Sequence, residues 1–302
     1  MKERFERQTY WRWKIALYLF FAGMGAGSYF VGILNDLFWG KALYLSRIGV
    51  FWGTVLVITG IPFLILDLGR KDRFPRAGIN PRFAWVGRGF YILSIFIVLG
   101  VIHIGFWIWP FQILEVDRLL RIVLSIINGA FAMAVMVYTG LLLKSMKSVH
   151  FWDTPLIVIL FVISALSTGV ICLVFFSMNH PIGEGNGNPL DFLLKTDSIL
   201  IILETLILAF YLVNMADATE ASKKSVASLI HGELKVLFWG GVILCGLVLP
   251  FLLKAFEGFS SRSGLAGLTL ISNIMVLIGG LLLRYSILAA GVQATPLMPN
   301  YR

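Results

Sequence analysis

The sequence predicts an all-α integral membrane protein with eight transmembrane helices. Of its 302 residues, 58% are hydrophobic and only 14% are charged, whereas about a quarter of the residues in a soluble domain are charged. Eight apolar stretches reach the roughly 20 residues that a helix needs to cross a bilayer, and strand-like alternation, which a barrel would require, is missing. The stretches are 13–38, 48–68, 86–109, 119–143, 154–177, 196–215, 234–256 and 265–291.

The spans follow one another with short connections, so we expect one polytopic membrane domain over residues 1–302. Turn-forming residues separate the spans at 69–85, 180–189 and 258–264. A division into halves 1–147 and 148–302, each with four spans, is the alternative. No short apolar core followed by a cleavage site precedes the first span, so we expect that helix to be retained.

The basic residues are distributed unevenly between the two faces of this arrangement. An even number of spans places both termini on one face, here named the near side, and the opposite face is named the far side. Of the 25 basic residues, 17 lie on the near side and 7 on the far side, with Arg284 inside a span. Because cytoplasmic loops are enriched in lysine and arginine, we predict cytoplasmic termini in a prokaryotic cytoplasmic (inner) membrane.

Two charged residues stand inside apolar spans, where a charge costs several kcal/mol and therefore indicates a function by default. Glu204 lies near the middle of the sixth span, and Arg284 lies in the near half of the last. For Glu204 the alternative is a neutral acid bonded to a neighbouring helix. Arg284 is either a counter-ion for a carboxylate or an arginine that reaches to the membrane surface.

Other polar residues lie closer to the ends of the spans. Asp67 closes the second span, three residues before Arg70, and the simple interpretation is an ion pair at the membrane surface. Asp36 and Asp197 are near the far ends of the first and sixth spans, where solvated helix ends explain them. Each of these carboxylates is nevertheless a candidate for a functional site.

Histidine and cysteine usage limits the cofactors that this chain can hold. His103 is the only histidine inside a span, and a membrane b-type haem normally needs two axial ligands. Cys172 and Cys245 are isolated within apolar segments, as buried core residues are. We therefore expect no haem and no iron–sulfur cluster in this chain, and electrons would have to come from a partner.

Three motifs carry a resemblance to a known family. They are Trp11-Arg-Trp13-Lys-Ile-Ala-Leu-Tyr-Leu-Phe20 followed by Gly23-Met-Gly-Ala-Gly27, Asp67-Leu-Gly-Arg70, and Gly279-Gly-Leu-Leu-Leu-Arg-Tyr285 with Ala290-Gly291. In this order and placement they resemble the NrfD/polysulfide reductase membrane-subunit family over essentially the whole chain. The resemblance implies two four-helix bundles without haem.

The resemblance also implies a function. Such a subunit exchanges electrons between quinol, of the menaquinone or ubiquinone type, and a four-cluster ferredoxin-like iron–sulfur subunit, which serves a molybdopterin catalytic subunit or a multihaem cytochrome. The family's quinone pocket lies at the membrane surface beneath the iron–sulfur partner. Here its walls would include Trp13, Tyr18, Asp67, Arg70 and Tyr138.

Quinol chemistry also moves protons, and the polar residues of the spans form a candidate path. In order of depth from the near side, Arg284, Glu204, His103, Asp197 and Asp36 would carry protons across most of the membrane. A proton-coupled secondary transporter is the alternative function, since the same residues could form a substrate and ion path. A structural anchor without chemistry is a third hypothesis. Nothing in the sequence indicates a nucleic acid partner.

Overall fold

Eight helices long and apolar enough to cross a membrane occur in the computed structural model, which describes residues 3–9, 11, 13–38, 43–67, 85–107, 118–178, 189–259 and 266–296. The prediction of an all-α multi-pass membrane protein is confirmed. The first four spans are α1 (Trp13–Phe38), α2 (Leu43–Asp67), α3 (Trp85–Trp107) and α4 (Arg118–Lys144). The last four are α5 (Pro155–Ser177), α6 (Pro189–Ala218), a π-helix (Leu237–Val248) continued by α8 (Leu249–Phe259), and α9 (Ala266–Ala289).

The smaller elements lie on the near side. They are a 3₁₀-helix (His150–Trp152), the short helix α7 (Glu220–Ile230) and two strands, β1 (Glu3–Arg7) and β2 (Val292–Pro296). The strands pair in antiparallel fashion, with Phe5 opposite Ala294, so the two ends of the chain lie on one face, as an even number of spans requires. Arg7 fixes this sheet to α7 and to the turn that follows it, because its guanidinium group donates to the Ser228 hydroxyl and to the Glu233 carboxylate, at 2.7 Å.

Small residues bring α1 very close to α2 and α5. The Cα atoms of Gly32 and Gly49 meet at the α1–α2 crossing, and Gly27 packs against the backbone of α5 at Ala165 and Gly169. A larger side chain at these positions would push the helices apart, which is the usual role of small residues between membrane helices. The glycines of the first span are therefore explained by helix packing.

The helices pack in two neighbouring groups that share α1 as a central element. Helices α1 to α4 contact one another in sequence, and α4 packs back on α1. Helix α9 packs on the π-helix and on α5, which also contacts α6. Because α1 and α4 also lie against α5, both halves of the chain share packed surfaces, and the two separate bundles implied by the resemblance stay an expectation.

Two spans differ from the sequence prediction in ways that matter for the site. Helix α6 begins at Pro189, seven residues before the expected start, because the helix continues through Asp191 and Lys195, which interrupt the apolar run in the sequence. The seventh span contains a 12-residue π-helix, in which each turn is wider than in an α-helix, and such segments occur frequently at functional sites.

Candidate functional site

The residues expected at the quinone pocket gather only in part. Tyr18 and Tyr138 are both buried in the core, at the near ends of α1 and α4, and are close enough to interact electrostatically. The Tyr138 ring lies against Gly89 of α3, where a side chain would not fit. Among the described residues, none forms a hydrogen bond with the Tyr18 hydroxyl. A buried hydroxyl without a partner is costly, so this atom is a candidate ligand-binding group.

Asp67 lies at the near end of α2 and is partly exposed. The cation beside it in the described part of the chain is Lys14 of α1, whose Nζ also donates to the Leu66 carbonyl at 3.4 Å. Lys14 therefore links the start of α1 to the end of α2. The expected partner Arg70 lies outside the described residues, so the predicted Asp67–Arg70 pair stays a prediction.

Trp13 lies elsewhere at the same membrane surface. Its side chain is 54% exposed and lines a pocket of about 380 Å³ between the start of α1 and the end of α9. The other walls include Gln8, Trp11 and Tyr285, and Tyr18 is not among them. The Gln8 amide shapes this pocket by donating to the carbonyls of Trp11 and Leu288. The structure thus separates Trp13 from the tyrosine pair.

Arg284 and Glu204 meet through one hydroxyl group in the interior. Nη1 of Arg284 donates to Oγ of Ser164 at 3.0 Å and to the Gly280 carbonyl at 2.8 Å. The same Ser164 hydroxyl is hydrogen-bonded to Glu204, so it accepts from the guanidinium group and donates to the carboxylate. Arg284 is fully buried; the membrane-surface alternative for this residue is wrong, and the counter-ion alternative agrees with the structure.

A small cavity adjoins Glu204 where the π-helix passes. Its volume of about 10 Å³ is close to the minimum for one water molecule. Thr168 lines one wall, and Gly246 of the π-helix and Gly279 of α9 line another. The Thr168 hydroxyl donates to the Ser164 carbonyl at 2.7 Å. Glu204 therefore faces a polar spot in an otherwise apolar interior.

Asp197 and Lys254 form an ion pair closer to the far side. The Lys254 ammonium group binds Oδ2 of Asp197, and the Ser167 hydroxyl donates to Oδ1 at 2.6 Å. Asp197 is fully buried, so the interpretation of a solvated helix end is wrong for this residue. In the sequence Lys254 counts only as one of the seven far-side basic residues, at the end of the predicted span 234–256. This contact was missed, although a basic residue at the end of an apolar run is a weak signal for it.

The remaining candidates belong to a second polar group, formed by α1, α3 and α4. The Tyr29 hydroxyl and Nδ1 of His103 are hydrogen-bonded at 2.7 Å. Nearer the far side, Nη2 of Arg121 lies 3.6 Å from Oδ1 of Asp36, and Arg121 also interacts electrostatically with His103. Asp36 is thus ion-paired. The candidate proton path is therefore distributed over two groups of helices, with Arg284, Glu204 and Asp197 in one and His103 and Asp36 in the other.

The cysteine, histidine and acidic side chains of the described residues form no candidate metal site. Cys172 is buried and Cys245 is half-buried, and both are free thiols. Within the described ranges, no group of three or more histidine, cysteine, aspartate or glutamate side chains could hold a metal ion.

Comparison with known proteins identifies the family. Residues 3–296 match the family described as "Polysulphide reductase, NrfD". The sequence is 28% identical to the C component of polysulfide reductase from Wolinella succinogenes, over 93% of this chain and 94% of that protein. It is 27% identical to protein NrfD of Escherichia coli, with the same coverage, and 22% identical to the C component of selenate reductase from Mesobacillus selenatarsenatis, over 88% of this chain and 71% of that protein. With the family match covering nearly all of its length, this chain belongs to the NrfD family of membrane proteins.

Proposed function

We propose that this chain is the quinone-interacting membrane subunit of a multisubunit respiratory oxidoreductase. Its electron partner would be a four-cluster ferredoxin-like iron–sulfur subunit, which in turn serves a molybdopterin subunit or a multihaem cytochrome. Relatives named as components of polysulfide and selenate reductases support a place in such a complex. Since the sequence contains one histidine within its spans and no Cys-x-x-Cys motif, the fixed redox centres would belong to the partners.

The observation that carries the proposal is the Tyr18 hydroxyl. It is buried beside Tyr138 at the near end of the molecule and has no partner among the described residues. A quinone carbonyl or a quinol hydroxyl would satisfy it. A purely structural tyrosine normally finds a protein partner, as Tyr211 does by donating to the Phe151 carbonyl at 2.7 Å.

The chemistry assigned to the site is quinol oxidation or its reverse. A quinol that becomes a quinone loses two electrons and two protons; the electrons would pass to the iron–sulfur partner and the protons to nearby bases. Asp67, at the membrane surface beside Lys14, would accept a proton from the quinol. Tyr18 and Tyr138 would orient the ring by hydrogen bonding its oxygens. A positioned carboxylate of this kind acts as a general base.

The charge distribution supports a proposal for the side of the membrane on which this occurs. The near side carries most of the basic residues, so the positive-inside rule favours cytoplasmic termini and a cytoplasmic electron partner. A basic face that binds an acidic partner outside the membrane is the alternative. Labelling of a cysteine introduced at Lys147, an exposed near-side residue, with a membrane-impermeant reagent in intact cells distinguishes them: no labelling supports the cytoplasmic placement.

We further propose that protons move along the polar residues beside α5. Arg284, Ser164 and Glu204 form one hydrogen-bonded unit, and Ser167, Asp197 and Lys254 form a second unit closer to the far side. Asp197 and Glu204 also interact electrostatically. Hydroxyl groups beside each carboxylate and a water-sized cavity next to Glu204 are features that support stepwise proton transfer. The cluster of buried charges equally suits the transporter alternative.

The test is to purify the complex from native membranes through a tag on this chain. We expect an iron–sulfur subunit in equal amount, quinol oxidation by the complex, and no haem absorbance from this subunit. Tyr18→Phe should raise the KM for quinol by roughly threefold to tenfold, which corresponds to the loss of one hydrogen bond. Tyr91→Phe, on an exposed face of α3, is the matched control. A protein that purifies alone and catalyses proton-coupled uptake would favour the transporter.

A further inference from the structure

An apolar groove runs along the far half of the molecule between α1, α5 and α6. Its volume is about 610 Å³, and its walls include Phe30 and Leu34 of α1, Leu166 and Val170 of α5, and Phe192 and Leu200 of α6. Phe38 and Phe192 at its edge are 78% and 45% exposed, so the groove opens to the surroundings of the protein. Because these are membrane-spanning helices, those surroundings are lipid. We name this feature the far-side groove.

The polar side chains of the far-side groove are already engaged. The Thr196 hydroxyl donates to the Phe192 carbonyl at 2.8 Å, and the Asn35 side chain, which is largely buried, also has a partner. A quinone ring would need hydrogen-bond donors for its oxygens, and these walls offer almost entirely hydrocarbon. The surface is therefore complementary to a hydrocarbon chain rather than to a quinone head.

The size of the far-side groove also limits its occupant. A helix about 10 Å wide that rises 1.5 Å per residue occupies roughly 120 Å³ for each residue, so a groove of this volume would admit only about five helical residues. A membrane-spanning helix of a partner or of a second copy would therefore insert only a few side chains, whereas a single acyl chain, only one carbon wide, can lie within the groove along its length.

Charged residues at the far end of α6 indicate which kind of lipid head group would accompany the acyl chain. Lys195 and Asp191 are both exposed and share the first turns of α6 with Phe192 and Thr196, which line the groove. Nearby Asp36 is engaged by Arg121. A positive and a negative group four residues apart match a phospholipid that carries both a phosphate and an amine.

We propose that the far-side groove binds one acyl chain of a phosphatidylethanolamine-type lipid from the far leaflet. Lys195 contacts its phosphate and Asp191 its ammonium group. The lipid fills the space between α1 and α6 and supports the packing of both helices on α5. This site is independent of the proposed quinone chemistry, because it lies at the opposite end of the spans from Tyr18 and Asp67.

The test uses the complex purified in mild detergent, with native mass spectrometry of its bound lipids. Phosphatidylethanolamine, phosphatidylglycerol and a menaquinone are added separately after delipidation. We expect one phosphatidylethanolamine to be retained per chain, with weaker retention of the other two. Leu200→Trp, which fills the groove, should reduce retention by about tenfold, whereas Ile202→Trp, on an exposed face of the same helix, should not. Lys195→Gln should weaken retention, and Lys147→Gln on the near side should not.

Other outcomes would overturn the proposal. Equal retention by the wild type and Leu200→Trp would show that the lipid binds elsewhere. Preferential retention of the menaquinone would assign the groove to an isoprenoid chain, and phosphatidylglycerol retained as well as phosphatidylethanolamine would refute the head-group assignment. If Leu200→Trp fails to assemble, Leu34→Trp on the opposite wall provides the same test.

Discussion

The ammonium group of Lys254 lies against the carboxylate of Asp197, and neither side chain is more than 5% exposed. The two residues join α6 to α8 in the far half of the protein. Removing one partner of a buried pair leaves the other charge unpaired, which costs more than the pair itself contributes. Substitution of one or both residues therefore tests whether this buried ion pair stabilises the fold.

Lys254→Met should destabilise the protein by about 3–5 kcal/mol, because Asp197 would remain charged without its cation. The double variant Lys254→Met with Asp197→Asn should recover most of that loss. Thermal unfolding of the purified protein in one detergent measures both effects. Lys235→Met, at an exposed near-side position, controls for the loss of a lysine, and a double variant as unstable as the single one would contradict the pairing argument.

Asp67→Asn should lower the rate of quinol oxidation by roughly a hundredfold, at the low end of the range for general-base catalysis, because asparagine cannot accept the proton. The subunit composition of the complex should stay unchanged. Steady-state turnover with a soluble quinol and an artificial electron acceptor gives the rate. Asp217→Asn, at an exposed position near the end of α6, is the control. Normal turnover in an intact Asp67→Asn complex would mean that Asp67 has no catalytic role and only interacts with Lys14 at the membrane surface.

Glu204→Gln should separate proton movement from electron transfer. Glutamine can keep a hydrogen bond with Ser164 but cannot carry a proton, so most of the quinone-linked proton movement should be lost while electron transfer continues. Both are measured in the same reconstituted vesicles, with a pH-sensitive dye and an electron acceptor. Glu220→Gln, at an exposed position in α7, should match the wild type. If Glu204→Gln also matches the wild type in both measurements, Glu204 has only a structural role.

Gly25→Ala should destabilise the α1–α2 contact. A Cβ atom at Gly25 would lie 2.6 Å from the Gly53 carbonyl oxygen and 2.9 Å from the Val57 nitrogen, and overpacking of this kind costs about 1–3 kcal/mol. Gly105→Ala in α3, with no heavy atom within 4 Å of the new methyl group, should be neutral or slightly stabilising. The melting temperatures of the two variants test this prediction. Equal values would mean that α1 and α2 can move apart freely.

Hydropathy predicted the spans well because most residues of a membrane-spanning helix must be apolar, and hydropathy measures this property directly. The first span was placed at 13–38, and α1 has the same bounds. The sixth predicted span, 196–215, is too short at its start, because Asp191 and Lys195 interrupt the apolar run ahead of it. Hydropathy assigns a cost to each charge, whereas the folded chain removes that cost for Asp197 by pairing it with Lys254.

The polar interior was predictable as a set of residues but not as a set of partners. Glu204 and Arg284 stand out in the sequence because each is a lone charge in an apolar run. That Ser164 joins them depends on how α5, α6 and α9 cross, and serines are too common in membrane helices to signal such a contact. The π-helix was not predicted either, since a change in backbone hydrogen bonding leaves the average hydropathy of a segment unaltered.

The pairing of β1 with β2 has a consequence for biosynthesis. β1 leaves the ribosome before any of the eight spans is made, whereas β2 is made only after the last of them. At about 5–20 residues per second, the interval for a chain of this length is roughly 15–60 seconds. During that time all eight spans insert while the amino-terminal strand waits without its partner. This part of the near-side surface is thus completed only after the spans, and a chain that stops before β2 presents it unfinished to any subunit that assembles there.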